Sequence, residues 1–379
     1  MPNDTDDTSK QSVPPRSALH VMKGVEGGHE GLPGYATDRP GRPRGKRTLS
    51  TEEYVKGILD GDRTLLARAI TLVESNAPAH QEQAQEVLQA VMPHTGHSIR
   101  VGITGVPGAG KSTLIETLGT SLTERGHKLA VMAVDPTSSL SGGSILGDKT
   151  RMEGLARDTR AFIRPSPSGG ALGGVARKTR ETMLLFEAAG YDVLFVETVG
   201  VGQNEITVRS MVDYFLLVLI AGAGDELQGI KKGVIELADT IVINKADGDN
   251  IRAARAARAE YEQALHYLRP PADGRACRVL TASAQTGDGI KDLWNDIEAF
   301  REEMSTSGAM QKRRREQSRQ WLHSMLDERL RDLFYRQPAI RQSLPDIEKQ
   351  VMEGRLPVTA AAWKLLETFQ HGEDAAEET

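Results

Sequence analysis

The sequence predicts an α/β fold in which a mostly parallel sheet is covered by helices on both faces and flanked by helical extensions at both ends. Two observations carry this prediction. Apolar runs of strand length recur along the middle of the chain, and helical stretches separate most of them, as parallel crossovers require. The runs are apolar on both faces, which is typical of a buried parallel sheet. They lie at 99–104, 129–134, 160–163, 192–196, 214–220, 239–243 and 278–281.

Changes in composition divide the chain into four regions. Residues 1–47 are rich in Gly, Pro, Ser and charge and have no apolar period, so we expect a disordered N-terminal lead. Residues 48–96 predict a small helical segment. The alternating strand and helix pattern fills residues 97–304, and the strands then stop. Residues 305–379 are expected to form a C-terminal helical arm.

The first helical extension is predicted from a capping motif and from apolar spacing. Ser50 and Glu53 match a capping box, which predicts a helix that runs through Leu59. Further helices are indicated because apolar residues recur at the period of a helix. These residues are Leu66, Ile70 and Val73, and then Ala84, Val87, Leu88, Val91 and Met92.

The C-terminal arm carries large apolar residues along one side of a predicted helix. Prolines at 338 and 345 are expected to break the chain after it, with further helices at 346–353 and 358–369. An apolar stripe beyond a complete domain needs a covering surface, which is either the body of the same chain or another subunit. The stripe comprises Leu322, Leu326, Leu330 and Leu333, with Trp321 and Met325 alongside.

Charge and composition exclude several classes of protein. A formal charge of −5 over 379 residues gives no general attraction to nucleic acid or to anionic membrane, so neither is an expected partner. The single cysteine, Cys277, cannot form a disulfide within the chain. The longest apolar run, 215–224, is shorter than the roughly 18 residues of a membrane span. The first residues are acidic and lack an apolar signal region, so we expect a cytoplasmic protein.

The segment GVPGAGKS (105–112) fits the phosphate-binding pattern G-x-x-x-x-G-K-[ST] and lies between an apolar strand and a helix. Glycines let the backbone wrap around phosphates, and the helix N-terminus favours their charge. Lys111 would bridge the β- and γ-phosphates, and the Ser112 hydroxyl would bind Mg²⁺. The predicted nucleotide-binding residues here are Gly105, Val106, Pro107, Gly108, Ala109, Gly110, Lys111, Ser112 and Thr113.

NKAD (244–247) follows a buried run and is the arrangement with which GTP-binding proteins read guanine. An Asp247 carboxylate would accept from two N–H groups of guanine, whereas adenine would present an acceptor to it. That mismatch costs on the order of 1–3 kcal/mol. Lys245 could lie along the purine face, and Asn244 could connect loops.

A third motif, TASAQTGDG (281–289), follows the next strand. In GTPases a Ser-Ala pair at this place supplies a backbone amide to the guanine oxygen, so Ser283, Ala284 and Gln285 join the predicted nucleotide site. The three motifs, in this order on successive strands, predict a P-loop NTPase domain of the SIMIBI-like G-domain type that binds GTP.

Acidic residues after two further strands predict a magnesium site. Asp135 and Asp148 lie after the second strand, and Glu197 ends the run in DVLFVETVGVGQ (192–203). Gly200 follows Glu197 by three positions, as in Asp-x-x-Gly motifs whose glycine amide meets the γ-phosphate. Mg²⁺ prefers oxygen ligands, and a longer acid could reach the ion or one of its waters. The predicted metal set is Ser112, Asp135, Asp148 and Glu197, and the residues expected to carry catalysis are Lys111, Asp135 and Glu197.

The loop 222–233 is a further candidate switch. Gln203 is a weak candidate for positioning the attacking water because it lies three residues beyond Gly200. We therefore expect slow intrinsic hydrolysis that a partner accelerates.

The strings GVPGAGKST, VDPTS, GDKTRM, FIRPSPSGGALGG, ETVGVGQNE, GAGDELQGIKKG and NKAD resemble the MeaB/ArgK family of GTPases, whose members are similar to the human methylmalonic aciduria type A protein. The resemblance covers about residues 50 to 370. It implies a GTPase chaperone for an adenosylcobalamin-dependent acyl-CoA mutase, usually methylmalonyl-CoA mutase, with the cobalamin held by the mutase. It leaves open whether an adenosyltransferase joins the complex.

The resemblance also implies a homodimer through the C-terminal helices and assigns roles to individual residues. It carries over Ser112, Asp135, Asp148 and Glu197 as magnesium-site residues, and Arg151 as a phosphate contact. It further implies that 222–233 is the switch that senses the mutase.

Three other functions compete with this interpretation. A metallochaperone GTPase of the nickel-insertion kind would need Cys and His clusters, whereas Cys277 is alone and only His20 and His29 precede residue 80. A small-molecule kinase is suggested by older labels that attach this family to arginine/ornithine transport, but it would need an acceptor pocket and a base. A dimeric scaffold that holds GTP without hydrolysis would not need the lysine, serine and carboxylate set.

Overall fold

A seven-stranded parallel sheet forms the centre of the described residues, in the order β3-β2-β4-β1-β5-β6-β7. The computed structural model describes residues 49–134, 152–164, 172–198, 204–222, 232–266 and 275–377. The strands are β1 (Ile99–Gly105), β2 (Leu129–Val134), β3 (Ala161–Arg164), β4 (Val193–Thr198), β5 (Tyr214–Ile220), β6 (Thr240–Asn244) and β7 (Arg278–Thr281). The predicted disordered lead, 1–47, lies outside the described residues.

Helices precede, connect and follow the strands. Before the sheet come α1 (Thr51–Leu59), α2 (Arg63–Glu74) and α3 (Pro78–Val91). Between and just after the strands come α4 (Lys111–Glu124), α5 (Glu153–Arg157), α6 (Leu172–Ala188), α7 (Asn204–Arg209), α8 (Lys232–Leu237), α9 (Ile251–His266) and α10 (Ile290–Thr306). The chain continues through α11 (Ala309–Arg336), α12 (Pro338–Met352) and α13 (Val358–Glu377). Short 3-10 turns lie at Met92–His94 and Gly248–Asn250.

The alternating apolar pattern predicted this architecture correctly. Strands β2 and β4 are buried along their whole length, as expected for a sheet covered on both faces. Consecutive strands β1 and β2 are separated by β4, so the intervening helix α4 makes the crossover that parallel strands need. The predicted α/β class with a mostly parallel sheet is therefore confirmed.

The N-terminal helices begin with the predicted capping box. The Glu53 amide donates to Ser50 Oγ at 3.2 Å, and the Ser50 amide donates to Glu53 Oε2 at 2.9 Å. Both α2 and α3 pack against α6. The predicted apolar positions of these helices are buried except Met92, which lies in the 3-10 turn and is 52% exposed.

An arginine at the start of α11 fixes the C-terminal arm to the sheet. Arg314 donates from Nε and Nη2 to the two carboxylate oxygens of Asp213 at 2.7 and 2.6 Å, and Asp213 is fully buried. It also donates to the carbonyl oxygens of Gly96 at 2.7 Å and Ser98 at 2.6 Å. Because Asp213 and Ser98 directly precede β5 and β1, this contact, the arm latch, lies at the N-terminal edge of the strands.

The leucine stripe of α11 points away from the described body of the protein. Its four leucines, Leu322, Leu326, Leu330 and Leu333, are 58%, 50%, 60% and 60% exposed. Trp321, one residue away, instead faces α6, where the Arg180 guanidinium lies 5.3 Å from its ring centroid. Within the described residues the stripe is therefore not covered by the chain that carries it.

The expected helix break at Pro345 is wrong. Helix α12 begins at Pro338 and runs through Pro345 to Met352. Its core positions on either side of the proline, Ile340 and Ile347, are 0% and 4% exposed. Their burial against α13 outweighs the hydrogen bond that a proline removes from a helix.

Among the described residues, no helix has the length and apolar character needed to cross a membrane. The cytoplasmic location stays a prediction.

Candidate nucleotide-binding site

The sequence motifs come together at the carboxyl ends of four strands. Gly105 ends β1 at the centre of the sheet, and Glu197 lies next to it near the end of β4. Asn244 ends β6, and the Ser283-Ala284 pair follows β7. Ligands of open α/β sheets collect at this edge, so the topology gathers the predicted residues in the expected place.

Two glycines of the phosphate loop are required by close contacts. A Cβ at Gly105 would lie 2.0 Å from the carbonyl oxygen of Val218 in the neighbouring strand. Gly110 has a φ of +85° at the N-cap of α4, and a Cβ there would lie 2.7 Å from Asn244 Nδ2. No other residue fits either position without displacing the backbone or the base site.

Lys111 is buried within the phosphate loop. Its side chain is bonded to main-chain oxygens, at 2.9 Å to Gly105 and 3.2 Å to Val106. Burial lowers the pKa of Lys111, while the negative charges of Glu197 and Glu205 oppose that shift. Two neutral carbonyls thus hold the ammonium group at the head of α4, and the nearby carboxylates favour its charged form.

Two members of the predicted magnesium set meet directly. Ser112 Oγ donates to Glu197 Oε1 at 3.0 Å. Behind them, the fully buried Thr198 and Thr104 hydroxyls are hydrogen-bonded at 2.8 Å, which joins β4 to β1. A hydroxyl and a carboxylate are oxygen ligands that suit Mg²⁺. Four predicted residues, Asp135, Asp148, Arg151 and Gly200, lie outside the described residues, as do Gln203 and most of the loop 222–233.

The described part of the chain holds no group of three or more His, Cys, Asp or Glu side chains arranged to bind a metal. Of the predicted magnesium set, Ser112 and Glu197 are described, and their adjacent oxygens fit the ligand preference of Mg²⁺.

A cavity of about 170 Å³ lies where the base-reading motifs meet. Asn244, which is 1% exposed, donates from Nδ2 to the Ala109 carbonyl at 2.7 Å and accepts from the Ala284 amide at 3.1 Å. It thereby connects the phosphate loop to the loop after β7. The cavity is lined by Gly110, Thr113, Asn244, Lys245, Asp247, Ala284 and Gln285.

The carboxylate of Asp247 is oriented by a buried serine. Ser283 donates its hydroxyl hydrogen bond to Asp247 Oδ2 and accepts from the Thr286 amide at 3.1 Å. Lys245 has a φ of +58°, the one non-glycine residue with positive φ among the described residues, and Asn250 donates to its carbonyl at 2.7 Å. Strained backbone of this kind collects at ligand sites.

The structure also places two residues at the candidate site that the sequence reasoning missed. Thr117 donates to the Ala284 carbonyl at 2.6 Å and so supports the base pocket from α4. Glu205, in the first turn of α7, is 1% exposed and acts electrostatically on Lys111. Glu205 could have been considered from the sequence because it is an acidic residue in the first turn of the helix that follows the Glu197 motif.

A parallel sheet with a phosphate-loop lysine at its centre and an Asn-Lys-x-Asp pocket beside it defines a P-loop GTPase. The chain belongs to the family described as "Methylmalonyl Co-A mutase-associated GTPase MeaB", which matches residues 66–339. The resemblance noted in the sequence is therefore confirmed, and the protein is a GTP-hydrolysing enzyme.

Individual relatives agree with this assignment. A Caulobacter vibrioides protein named as a GTPase is 58% identical over 321 residues, which cover 85% of this chain and 98% of the relative. The mouse protein named "Methylmalonic aciduria type A homolog, mitochondrial" is 47% identical over 335 residues, covering 86% of this chain and 81% of its own. The crystal structure of a "LAO/AO transport system kinase" is 40% identical, has a TM-score of 0.69, and covers 86% of this chain and 100% of that one.

Proposed function

We propose that this GTPase is a chaperone that assembles and protects an adenosylcobalamin-dependent acyl-CoA mutase, and that it gates delivery of the cofactor. Methylmalonyl-CoA mutase is the first candidate client. The observation that carries the proposal is the match of residues 66–339 to a family described as mutase-associated. Adenosylcobalamin would belong to the mutase, and an adenosyltransferase is a candidate third member of the complex.

For the nucleotide, we assign the phosphate side of the site to the loop 105–113. Its backbone amides would bind the β- and γ-phosphates, and Lys111 would exchange its carbonyl partners for phosphate oxygens. Ser112 and Glu197 would hold Mg²⁺ together with Asp135 and Asp148. When bound, that ion neutralises charge on the transferred phosphoryl group. Arg151 and the Gly200 amide are assigned as further contacts to the phosphates.

For the base, we assign guanine recognition to the cavity next to Asn244. Asp247, fixed by Ser283, would accept from two guanine N–H groups. The Ala284 amide, which donates to Asn244 Oδ1 in the structure, would donate to the guanine oxygen when the base is bound. The Lys245 stem would cover one face of the purine, with Gln285 at the cavity wall. The preference for GTP over ATP would follow from the donor and acceptor pattern of this pocket.

We further propose that the protein is a homodimer formed through the C-terminal arm. The support is the leucine stripe of α11, whose four side chains are at least half exposed in the single chain. Leu326→Glu combined with Leu330→Glu should convert a dimer to a monomer in light scattering. Arg319→Glu, an exposed change on the same helix, is the control and should leave the mass unchanged. A monomeric wild-type protein would contradict the assignment.

A second candidate function is phosphorylation of a small molecule linked to arginine or ornithine transport. The name of the 40% identical solved structure favours it. It predicts transfer of the γ-phosphate to an amino-acid acceptor rather than to water. Radiolabelled GTP incubated with arginine or ornithine would show the labelled product if this function were correct.

The experiment that tests the chaperone proposal is GTP turnover by the purified protein, alone and with each cobalamin-dependent mutase of its own organism. We expect slow turnover that one mutase stimulates by tenfold or more, by analogy with GTPases activated by partners. Lys111→Ala with the same mutase is the control for contaminating hydrolysis. Turnover that no mutase changes would refute the chaperone role and leave the GTPase activity intact.

A further inference from the structure

Helix α7 lies between the nucleotide site and the C-terminal arm. It begins at Asn204, seven residues after Glu197, and is followed closely by β5. Its packing on the sheet depends on Gly102 in β1, because a Cβ there would lie 2.9 Å from Val208 Cγ1. The helix therefore rests directly on the strand that leads into the phosphate loop.

The first turn of α7 is electrostatically connected to the phosphate site. Glu205 is 1% exposed, and after Glu197 its negative charge opposes the lowering of the Lys111 pKa by burial. A phosphate group placed beside Lys111 adds negative charge close to this buried carboxylate. Charges interact strongly where little water screens them, so phosphate binding changes the force on the first turn of α7.

The other end of α7 is held by a glutamine of the arm. Gln317 on α11 is 9% exposed, and its Nε2 donates to the carbonyl of Val212 at 2.8 Å and to that of Arg209 at 3.3 Å. These carbonyls end α7 and lead into β5. The arm thus supplies hydrogen-bond donors to the end of the helix.

A second contact connects the same turn to α11. Arg180 on α6 donates to the Ser210 carbonyl at 2.8 Å and to its hydroxyl at 2.7 Å. The guanidinium of Arg180 also lies over the ring of Trp321 on α11, with 5.3 Å between Cζ and the ring centroid. The residues that follow α7 therefore contact α11 directly, through Gln317, and indirectly, through Arg180.

A third contact between α7 and α11 is made through an aspartate that pairs with an arginine of each helix. Asp239, directly before β6, pairs with Arg209 of α7 at 3.5 Å and with Arg313 of α11 at 3.5 Å. Both arginines thus compete for, or share, one largely buried carboxylate. A shift of either helix changes the geometry of the other pair.

We propose that α7 couples the phosphate site to the C-terminal arm, and that Gln317 is the positioning residue on the arm side. GTP and GDP differ by the γ-phosphate, so they place different charge beside the Lys111 and Glu205 end of α7. The Gln317 end transmits the response to α11. Linkage makes the coupling reciprocal: whatever holds the arm in one position changes the relative affinity for GTP and GDP.

The first test compares Gln317→Ala and Gln317→Glu with Gln320→Ala. Both substitutions at 317 remove the amide donors, and the glutamate keeps the size of the side chain. Gln320 is an exposed glutamine on the same helix that bonds only to Glu316 among the described residues, so it is the matched control. The measurement is the ratio of the dissociation constants for a non-hydrolysable GTP analogue and for GDP.

We expect both variants at 317 to change that ratio by roughly fivefold or more, with Gln320→Ala unchanged. A purely structural role would lower the unfolding midpoint and leave the ratio at its wild-type value. That outcome would overturn the proposal.

The second test uses the wild-type protein and so does not depend on a variant that folds. Hydrogen exchange is followed in residues 204–212 and 313–321 with GDP and with the GTP analogue. We expect both segments to change exchange rate between the two nucleotides. Equal exchange in 313–321 with both nucleotides would show that the arm does not respond, and the proposal would be wrong.

Discussion

The two edges of the sheet hold their charged groups in different ways. At the carboxyl edge, Lys111 is bonded to neutral carbonyls of its own loop. At the opposite edge, Arg314 forms paired bonds to the carboxylate of Asp213. A charge already bonded to an opposite charge has little left for a ligand, whereas a lysine held by carbonyls can exchange them for phosphate oxygens. The comparison separates a binding edge from an anchoring edge.

Two hydrogen bonds from a serine hydroxyl to a carboxylate, one at each edge of the sheet, show the same difference between the edges. Ser283 donates to Asp247 beside an open cavity, and Ser98 donates to Glu187 in a closed cluster. Glu187 is also bonded by both the Nε and Nη2 groups of Arg100, at 2.8 and 2.9 Å. The same two side-chain types therefore serve a ligand site at one edge and a structural contact at the other.

The largest effect is expected from Lys111→Ala. Loss of the ammonium removes the cation that the phosphates would bind, so kcat/KM for GTP should fall by roughly a thousandfold, with circular dichroism unchanged. Lys128→Ala, an exposed lysine at the opposite edge, is the control and should leave turnover as in the wild type. Equal turnover in the two variants would show that the lysine at the carboxyl edge is no more important for GTP hydrolysis than one at the opposite edge.

Arg314→Ala tests the anchoring edge. The change leaves the buried Asp213 carboxylate without its paired donors, so the free energy of unfolding in urea should fall by about 3 kcal/mol. Arg319, whose pair with Glu316 on the same helix is exposed, is the control, and Arg319→Ala should have little effect. A stable Arg314→Ala protein would show that the arm latch does not anchor α11.

Asp247→Asn tests the base pocket. Replacing the carboxylate weakens the paired bonds to guanine by about 2 kcal/mol, so the preference for GTP over ATP should fall roughly thirtyfold. Inhibition constants for the two nucleotides measure this ratio. Asp249→Asn, an exposed change in the neighbouring 3-10 turn, should not alter it. Unchanged selectivity in Asp247→Asn would refute the base-site assignment.

The smallest effect is expected from the serine pair. Ser283→Ala removes the bond that orients Asp247, which should raise the dissociation constant for GTP roughly fivefold, or about 1 kcal/mol. Ser98→Ala should lower the stability of the protein by a similar energy and leave that dissociation constant unchanged. If both variants changed the GTP dissociation constant and the stability to the same extent, the two serines would not differ in role and the contrast between the edges would be wrong.

Sequence reasoning gathered the residues of the candidate site at one edge of the sheet but did not find the contacts of the opposite edge. The phosphate loop, the Asn244 motif and the Ser283-Ala284 pair are short strings at strand ends, and parallel topology brings strand ends together. The arm latch has no such signal. It joins residues 96–98, 213 and 314, which are distant in sequence and share no spacing rule, so only the packed structure reveals it.

Two places in the C-terminal arm show what local sequence patterns do not capture. The proline rule predicted a break at Pro345, but buried isoleucines on both sides keep α12 continuous. No pattern in the sequence distinguishes Gln317 from the other polar residues of α11, because the carbonyls it contacts lie in another part of the chain, at the end of α7. The apolar period of a helix identifies which of its faces is buried, but not which main-chain groups its polar side chains will contact.

The latch near the first turn of α11 has a geometric consequence for the rest of that helix. The helix contains 28 residues and is held to the sheet near its beginning. At 1.5 Å per residue the distance from the latch at Arg314 to Arg336 is about 33 Å, so a tilt of roughly 10° at the latch would move the far end by about 6 Å. The same tilt would displace the leucine stripe by about 2 Å at Leu322 and by about 5 Å at Leu333. A tilt of α11 about its latch would therefore be largest, as a displacement, at the end of the helix farthest from the sheet.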